Sequence, residues 1–248
     1  MYYLELKEII LKMFDRSKLS KKPGEWGFFN EQNKEVNIIA YATNITPEVI
    51  ILAAEEKADI LITHHDSWEF VFGLKEKCNE LLIKTNLIHM YFHAPLDDAD
   101  FGTSASLANA LELKNCSKAI PYEDIYFCAV IGEYENPITF EQLSQRLSSI
   151  LSEPVRCYEN NNKLIHKVCV TTGAGNMTND MKVAFEQDCD TYITGEYVLY
   201  SQQYAKLVGM NLMVGSHTNT EIIGVKSMLE LLTKDTKIKL VRIQEPNY

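Results

Sequence analysis

Three short segments of this chain concentrate the side chains that can hold a metal ion or move a proton. They are Thr63-His64-His65-Asp66, His93-Ala94-Pro95-Leu96-Asp97-Asp98, and Gly215-Ser216-His217-Thr218-Asn219-Thr220-Glu221. Paired histidines can present two imidazoles to metal once the chain leaves strand geometry and its strict alternation of sides. Neutral imidazole is a common ligand for zinc, iron and related ions. In the second segment Asp97 offers a hard oxygen ligand, and His93 a further imidazole or a proton-transfer group. In the third, His217 and Glu221 stand four apart, so a first helical turn puts them on one face, converging on one ion. Each segment also has a plainer reading. The paired histidines read as polar loop residues, and Pro95 suits a turn in which Asp97 or Asp98 caps the next helix. Thr218-x-x-Glu221 spells a capping box, which would spend Glu221 on a helix N-terminus. Against that, Glu221 flanks the apolar stripe Ile222, Val225, Leu229 and Leu232, which turns it partly toward the protein body.

The elements that must position these segments alternate between strand and helix. Residues 36–42 form an apolar run with β-branched side chains. Thr46-Pro47-Glu48 then opens a helix, with Thr as N-cap, Pro at the first helical position and an acid in the first turn. Residues 60–63 and 87–92 are further unbroken apolar runs, the pattern of strands buried on both faces of a parallel sheet. A helix follows at 104–113. The second half predicts strands at 125–132, 166–172, 191–194, 211–214 and 238–242. Its helices fall at 139–151, opened by a Thr139-x-x-Gln142 capping box, and at 177–187, 198–208 and 218–232. The alternation argues an α/β fold with mixed, mostly parallel sheets flanked by helices. The polar stretch 114–123, with Pro121, suggests a division into an N-terminal α/β lobe over 1–120 and a C-terminal one over 121–248. The first carries the His-His and His-x-x-x-Asp motifs, and the last part of the second, about 211–248, returns to the metal site. The polar run 159–163 is short enough to be a loop tip.

Each of the three chemical segments follows a predicted strand, and in open α/β sheets ligand sites collect at the carboxyl ends of strands. Together they offer His64, His65, Asp97, His217 and Glu221. Five mixed nitrogen and oxygen ligands exceed what one tetrahedral zinc takes from protein. They suit two metals about 3.5–4 Å apart with a bridging carboxylate and water, a pair that lowers the pKa of that water and polarises a substrate oxygen. Elsewhere, Thr171-Thr172-Gly173-Ala174-Gly175-Asn176 is neither a P-loop nor a dinucleotide fingerprint. It reads as an anion-binding turn or a tight strand-to-helix turn. Glu196 ends a similar junction, as a site acid or a helix cap. Trp26, Trp68 and Tyr91 could line a pocket for a base or ring, or belong to the core.

Composition narrows the partners. The 248 residues are 46% apolar and 23% charged, with a net charge of −10, values of an ordinary globular chain long enough for a sizeable core. That charge argues against direct binding to nucleic acid or anionic lipid. No apolar run reaches the roughly 18 residues of a membrane span. The first residues read as an amphipathic helix and not as a signal peptide. Six cysteines without a CxxC pair point to reduced core thiols in a cytosolic protein.

Taken in order, these motifs resemble the NGG-interacting-factor-three-like family, whose members often carry the label GTP cyclohydrolase one, type two. The likeness runs from Asn44-Ile45-Thr46 through Ala58-Asp59-Ile60-Leu61-Ile62-Thr63-His64-His65 and His93-x-x-x-Asp97. It continues from Thr172-Gly173-Ala174-Gly175 and Asp190-x-x-x-Thr194-Gly195-Glu196 to His217-x-x-x-Glu221. The resemblance implies metal ligation by His64, His65, Asp97, His217 and Glu221, with Glu221 bridging, and His93 as acid or base. It also implies a two-lobed α/β subunit in its short form, a homohexameric ring with the sites facing its interior cavity, and a cytoplasmic location. Three departures stand out. Asp66 replaces the usual proline after the histidines, where it either adds a carboxylate near the metals or makes a turn. Asn44 replaces the usual Asp, and residues 23–30 match poorly. The functional expectation is a di-metal hydrolase of a nucleotide or other phosphorylated small molecule, with two divalent ions per subunit (zinc, iron, manganese, cobalt or nickel). By resemblance it extends to a GTP cyclohydrolase that opens the purine imidazole ring and releases formate. The alternatives are a hexameric metal-binding scaffold or metal-trafficking protein without turnover, and a transcription partner working through protein contacts.

Overall fold

The computed structural model describes residues 1–245. In chain order the elements begin with α1 (Tyr3–Lys12), α2 (Arg16–Lys21), β1 (Trp26–Phe29), β2 (Ile38–Ala42), α3 (Pro47–Glu55), β3 (Ile60–Thr63), α4 (Leu74–Lys84), β4 (Ile88–Phe92) and α5 (Ala94–Asp98). They continue with α6 (Thr103–Ala110), β5 (Lys114–Tyr122), β6 (Tyr126–Ile138), α7 (Phe140–Leu151), β7 (Arg156–Tyr158), β8 (Ile165–Thr171) and α8 (Thr178–Glu186). The last are β9 (Thr191–Thr194), α9 (Leu199–Val208), β10 (Asn211–Val214), α10 (His217–Thr233) and β11 (Lys239–Arg242). The chain forms two compact units. One is Met1–Leu96 together with the chain from Val225 onward, and the other is Asp97–Gly224.

In the first unit the sheet runs β1-β4-β3-β2-β11. Strands β11, β2, β3 and β4 are parallel, and β1 joins β4 antiparallel. Helices α3 and α4 make the crossovers that parallel neighbours require. Thr46 caps α3 as its spacing predicts, its hydroxyl accepting the Val49 N–H at 3.2 Å, with Pro47 at the first position. Ile60, Leu61 and Ile62 are fully buried, so side chains on both faces of β3 are covered. Each contributes about 1.5–3 kcal/mol of burial. One core layer joins Ala40, Ala42, Val49, Ile50, Leu61 and Leu82.

The second unit holds a sheet of order β5-β6-β8-β9-β10-β7, with β8, β9 and β10 parallel and the remaining pairings antiparallel. The period of two is visible in its cores. Val168, Val170, Ile193 and Met213 face the layer of α7 leucines, while Cys169, Tyr192 and Leu212 face α8 and α9. The Thr139–Gln142 capping box forms on α7 as read from the sequence. The stretch Lys114–Tyr122, polar enough to suggest a connection, is instead the edge strand β5. Charged side chains such as Lys114 and Lys118 are what an exposed edge calls for. All six cysteines are unpaired. Among the described residues no helix is long and apolar enough to cross a membrane.

Gly224, on α10, meets the backbone of Thr103, where an added Cβ would lie 2.5 Å from both Cα and N. Because the obstacle is backbone, Gly224→Ala is expected to lower unfolding free energy by about 1–3 kcal/mol through overpacking. Denaturant unfolding of the variant beside the parent checks this; equal midpoints would show that α6 and α10 separate at little cost.

Candidate metal centre

The carboxyl ends of β2, β3 and β4 lie side by side, and the first unit's chemical residues follow them directly. After β3 the chain turns so that the N–H groups of His64 and His65 both donate to the Thr43 carbonyl, each at 3.0 Å. This common anchor breaks strand alternation and lets the two imidazoles approach, with ring centroids 4.5 Å apart. His93, just past β4, joins them. His64, His65 and His93 bring one ring nitrogen each within 4.8 Å of one another. His64 and His65 are at most 2% exposed.

Each ring is held by its Nδ1. His64 Nδ1 lies 2.9 Å from the Phe92 carbonyl oxygen. A carbonyl only accepts, so Nδ1 carries the proton and Nε2 carries the lone pair. His65 Nδ1 lies 2.8 Å from Asn44 Oδ1, and the Asn44 amide is oriented in turn because its Nδ2 donates to Glu245 Oε2 at 2.7 Å. Glu245 also accepts the Thr43 N–H at 2.6 Å. Its burial raises its pKa, against the lowering effect of these donors. His93 Nδ1 lies 2.6 Å from Glu25 Oε2. Metal-ligating imidazoles are characteristically oriented in this way, by a carbonyl, amide or carboxylate on the second nitrogen. Behind the turn, His89 is buried and pushed down to about 4 by that burial, hence neutral. Thr63 Oγ1 donates to the His65 carbonyl at 2.6 Å and so accepts from His89 Nε2 at 2.8 Å.

In the second unit the ends of β8, β9 and β10 play the same part. The helix after β10 starts at His217, and its cap is Ser216, whose Oγ accepts the Asn219 N–H at 3.1 Å. Thr218 is therefore not the cap, and the capping-box reading of Glu221 fails. Glu221 is 4% exposed, with Oε1 3.2 Å from His217 Nε2. His217 Nδ1 lies 2.6 Å from Glu196 Oε1, which makes Glu196 an orienting carboxylate and not a helix cap. Burial alone would lower the His217 pKa, but Glu221 and then Glu196 overcome it and raise it to about 9. A nitrogen–oxygen pair so close holds either a proton or a cation between its donors.

Asp97, in α5, accepts from Thr103 Oγ1 at 2.6 Å, and Thr103 accepts from Thr172 Oγ1 at 2.9 Å. These hydroxyls point their protons along one line toward the carboxylate. Asp98 accepts the Phe127 N–H at 3.1 Å, and α6 has no side-chain cap, so neither aspartate plays the capping role. Gly173 has φ +63°, and a Cβ there would lie 1.9 Å from Glu221 Oε1. Its N–H is spent on Thr220 Oγ1 at 3.1 Å. The glycine turn thus makes room for a carboxylate and does not form an anion cradle. Asp66 takes the turn reading: its Oδ1 accepts the Ser67 N–H at 2.8 Å, and Oδ2 pairs with Lys75 at 3.3 Å. Trp26 pairs with Phe92 across the sheet but does not line the cleft of His65 and His93; its indole N–H donates to the Leu19 carbonyl. Sequence reasoning missed Glu25, His89 and Glu245, and it read Asn44 only as a departure. Glu196 alone carried a signal, as an acid just past a strand.

Comparison with known proteins agrees with this architecture. The profile of Duf34/NIF3 (NGG1p interacting factor 3) matches residues 3–247. A protein of Haemophilus influenzae named GTP cyclohydrolase 1 type 2 homolog is 29% identical over 246 residues, covering 94% of this chain and 93% of its own. A Pyrococcus abyssi protein of the same name is 29% identical over 251 residues, covering 98% and 99%. Among solved structures, reduced HcgD from Methanocaldococcus jannaschii superposes with a TM-score of 0.84 at 20% identity, covering 99% of this chain and 98% of its own. TTHA1606 from Thermus thermophilus gives 0.82 at 20%, covering 100% and 99%. At those identities the structures speak for the fold alone.

The raised His217 pKa sets a pH dependence. A protonated His217 stabilises the folded chain fully below the unfolded value of about 6.5, and that contribution is lost as pH rises through about 9. In chelator-treated protein, the stability difference between parent and His217→Gln is expected to shrink steadily between those pH values. Denaturant midpoints measured across the window check it; a constant difference would show that His217 is neutral throughout.

Proposed function

The chain belongs to the DUF34/NIF3 family, and from that premise we propose that it is a hydrolase dependent on two divalent metal ions, acting on a nucleotide or another phosphorylated small molecule. The observation that carries this reading is the orientation of the imidazoles. His64, His65, His93 and His217 each commit Nδ1 to an oxygen acceptor, which leaves Nε2 as the ligating or proton-carrying nitrogen. Under this reading His64, His65, Asp97, His217 and Glu221 would hold the ions. Imidazole with carboxylate suits zinc, iron, manganese, cobalt or nickel. When bound, such ions supply Lewis acidity, lowering the pKa of water and polarising a substrate oxygen.

The remaining work falls to the chain's own residues. Glu25 holds the His93 ring at 2.6 Å, so in this reading His93 takes up and returns a proton at Nε2 without turning. The Thr172–Thr103 hydroxyl line holds the Asp97 carboxyl group in place. The name of the curated relatives favours a nucleotide among phosphorylated substrates. A homohexamer and a cytoplasmic location complete the proposal and rest on the family resemblance.

Metal analysis of protein purified without a metal-affinity tag tests the reading. About two ions per chain are expected, with loss in both Asp97→Ala and Glu221→Ala, and loss of turnover with chelator that returning metal restores. No bound metal after reconstitution with several divalent ions would sink it. Two ions that exchange freely, with no turnover on any phosphorylated compound tried, would favour the scaffold or trafficking alternative.

A further inference from the structure

Beside the histidines of the first unit lies a cleft of about 340 Å³. His65 and His93 stand among its lining residues, with the aromatic side chains of Trp68, Tyr91 and Phe70 and the ammonium of Lys75. The volume is at the small end of ligand pockets, room for a ring and little more. The Trp68 ring packs on His65 with centroids 4.4 Å apart, and Phe70 stacks on Trp68 at 5.4 Å. An aromatic wall thus runs from a candidate ligand histidine outward. Tyr91 stands where it does because β1 has no side chain at Gly27, where a Cβ would lie 2.7 Å from the Tyr91 ring.

A second observation points the same way. Phe70, Val71 and Phe72 are 74%, 46% and 98% exposed, and Phe70 itself lines the cleft. Large apolar side chains left in water at the rim of a cleft mark a surface that something apolar covers. The polar groups nearby are already engaged: Lys75 is shared between Glu69 at 2.9 Å and Asp66 at 3.3 Å, and Glu25 holds His93. Such walls suit neither a sugar, which needs many hydrogen-bonding partners, nor a long alkyl chain, which needs depth.

We propose that this cleft binds the flat heteroaromatic ring of the substrate, with Trp68 and Tyr91 as the residues that receive it. The proposal rests on the hydrolase reading for which groups react, and it adds where the substrate is recognised. Stacking on aromatic side chains tolerates many rings because each has a π-face. The cleft therefore selects for planarity and places the ring beside His65 and His93.

The test uses the two tryptophans, Trp26 and Trp68. In a Trp26→Phe background Trp68 is the sole reporter. Its emission is titrated with adenosine, guanosine and uridine 5′-monophosphates and nicotinamide mononucleotide, with ribose 5-phosphate as the ringless control. Both chelator-treated and metal-loaded protein are used. Saturable quenching by ring-bearing probes and none by ribose 5-phosphate is expected. Gly27→Ala, which dislodges Tyr91, and Tyr91→Leu should each weaken binding about fivefold or more. Calorimetric titration of Trp68→Leu should show a similar loss. No ring-specific response in either form overturns the proposal, as does unchanged affinity in Tyr91→Leu with a parental melting profile. Ring binding in protein that never takes up metal would keep the cleft and remove the hydrolase reading. Metal uptake without ring binding would do the reverse.

Discussion

The structure turns on where each imidazole keeps its proton. A neutral histidine ring can carry its proton on either nitrogen until a neighbour fixes the choice, and here an oxygen at Nδ1 does so four times. Parallel strands make this possible. Neighbours about 4.8 Å apart end in register, so the Phe92 carbonyl at the end of β4 reaches the ring of His64 at the end of β3, and Asn44 past β2 reaches His65. Antiparallel β1 contributes as well, because its beginning lies beside the end of β4 and brings Glu25 to His93.

The second unit solves a harder electrostatic problem, a carboxylate with 4% exposure. An isolated buried charge costs several kcal/mol. His217, held from behind by Glu196, offsets that cost. The arrangement also needs space, which explains Gly173 better than any anion-binding role: a methyl group there would occupy the position of Glu221 Oε1. In the first unit Asn44 has a comparable logic. An aspartate at 44 would set a second carboxylate against Glu245, whereas the amide donates to Glu245 and accepts from His65.

The strand–helix alternation was readable because buried parallel strands are continuous apolar runs and their helices open with caps such as Thr46 and Thr139. Strand β5 was not, since an edge strand has little burial to enforce an apolar pattern. Strand β7 has only three residues, too few to show any period. The helix start after β10 was misplaced by one residue, because Ser216 and Thr218 are both good caps and only the backbone decides between them.

The candidate donors were legible as residue types: adjacent histidines, an aspartate four past His93, a glutamate four past His217. Local spacing alone brings these onto strand ends and helix faces, so a linear sequence suffices to nominate them. Their partners are another matter. Asn44 lies 21 residues from His65, Phe92 lies 28 from His64, Glu25 lies 68 from His93, and Glu245 lies 201 from Asn44. Hydrogen bonds over such separations leave no spacing to read, because they depend on which strands become neighbours in the sheet. The sequence by itself determined which atoms are available as donors. Only the tertiary structure decided which nitrogen of each ring keeps its proton, since that choice is made by an oxygen delivered from a distant part of the chain.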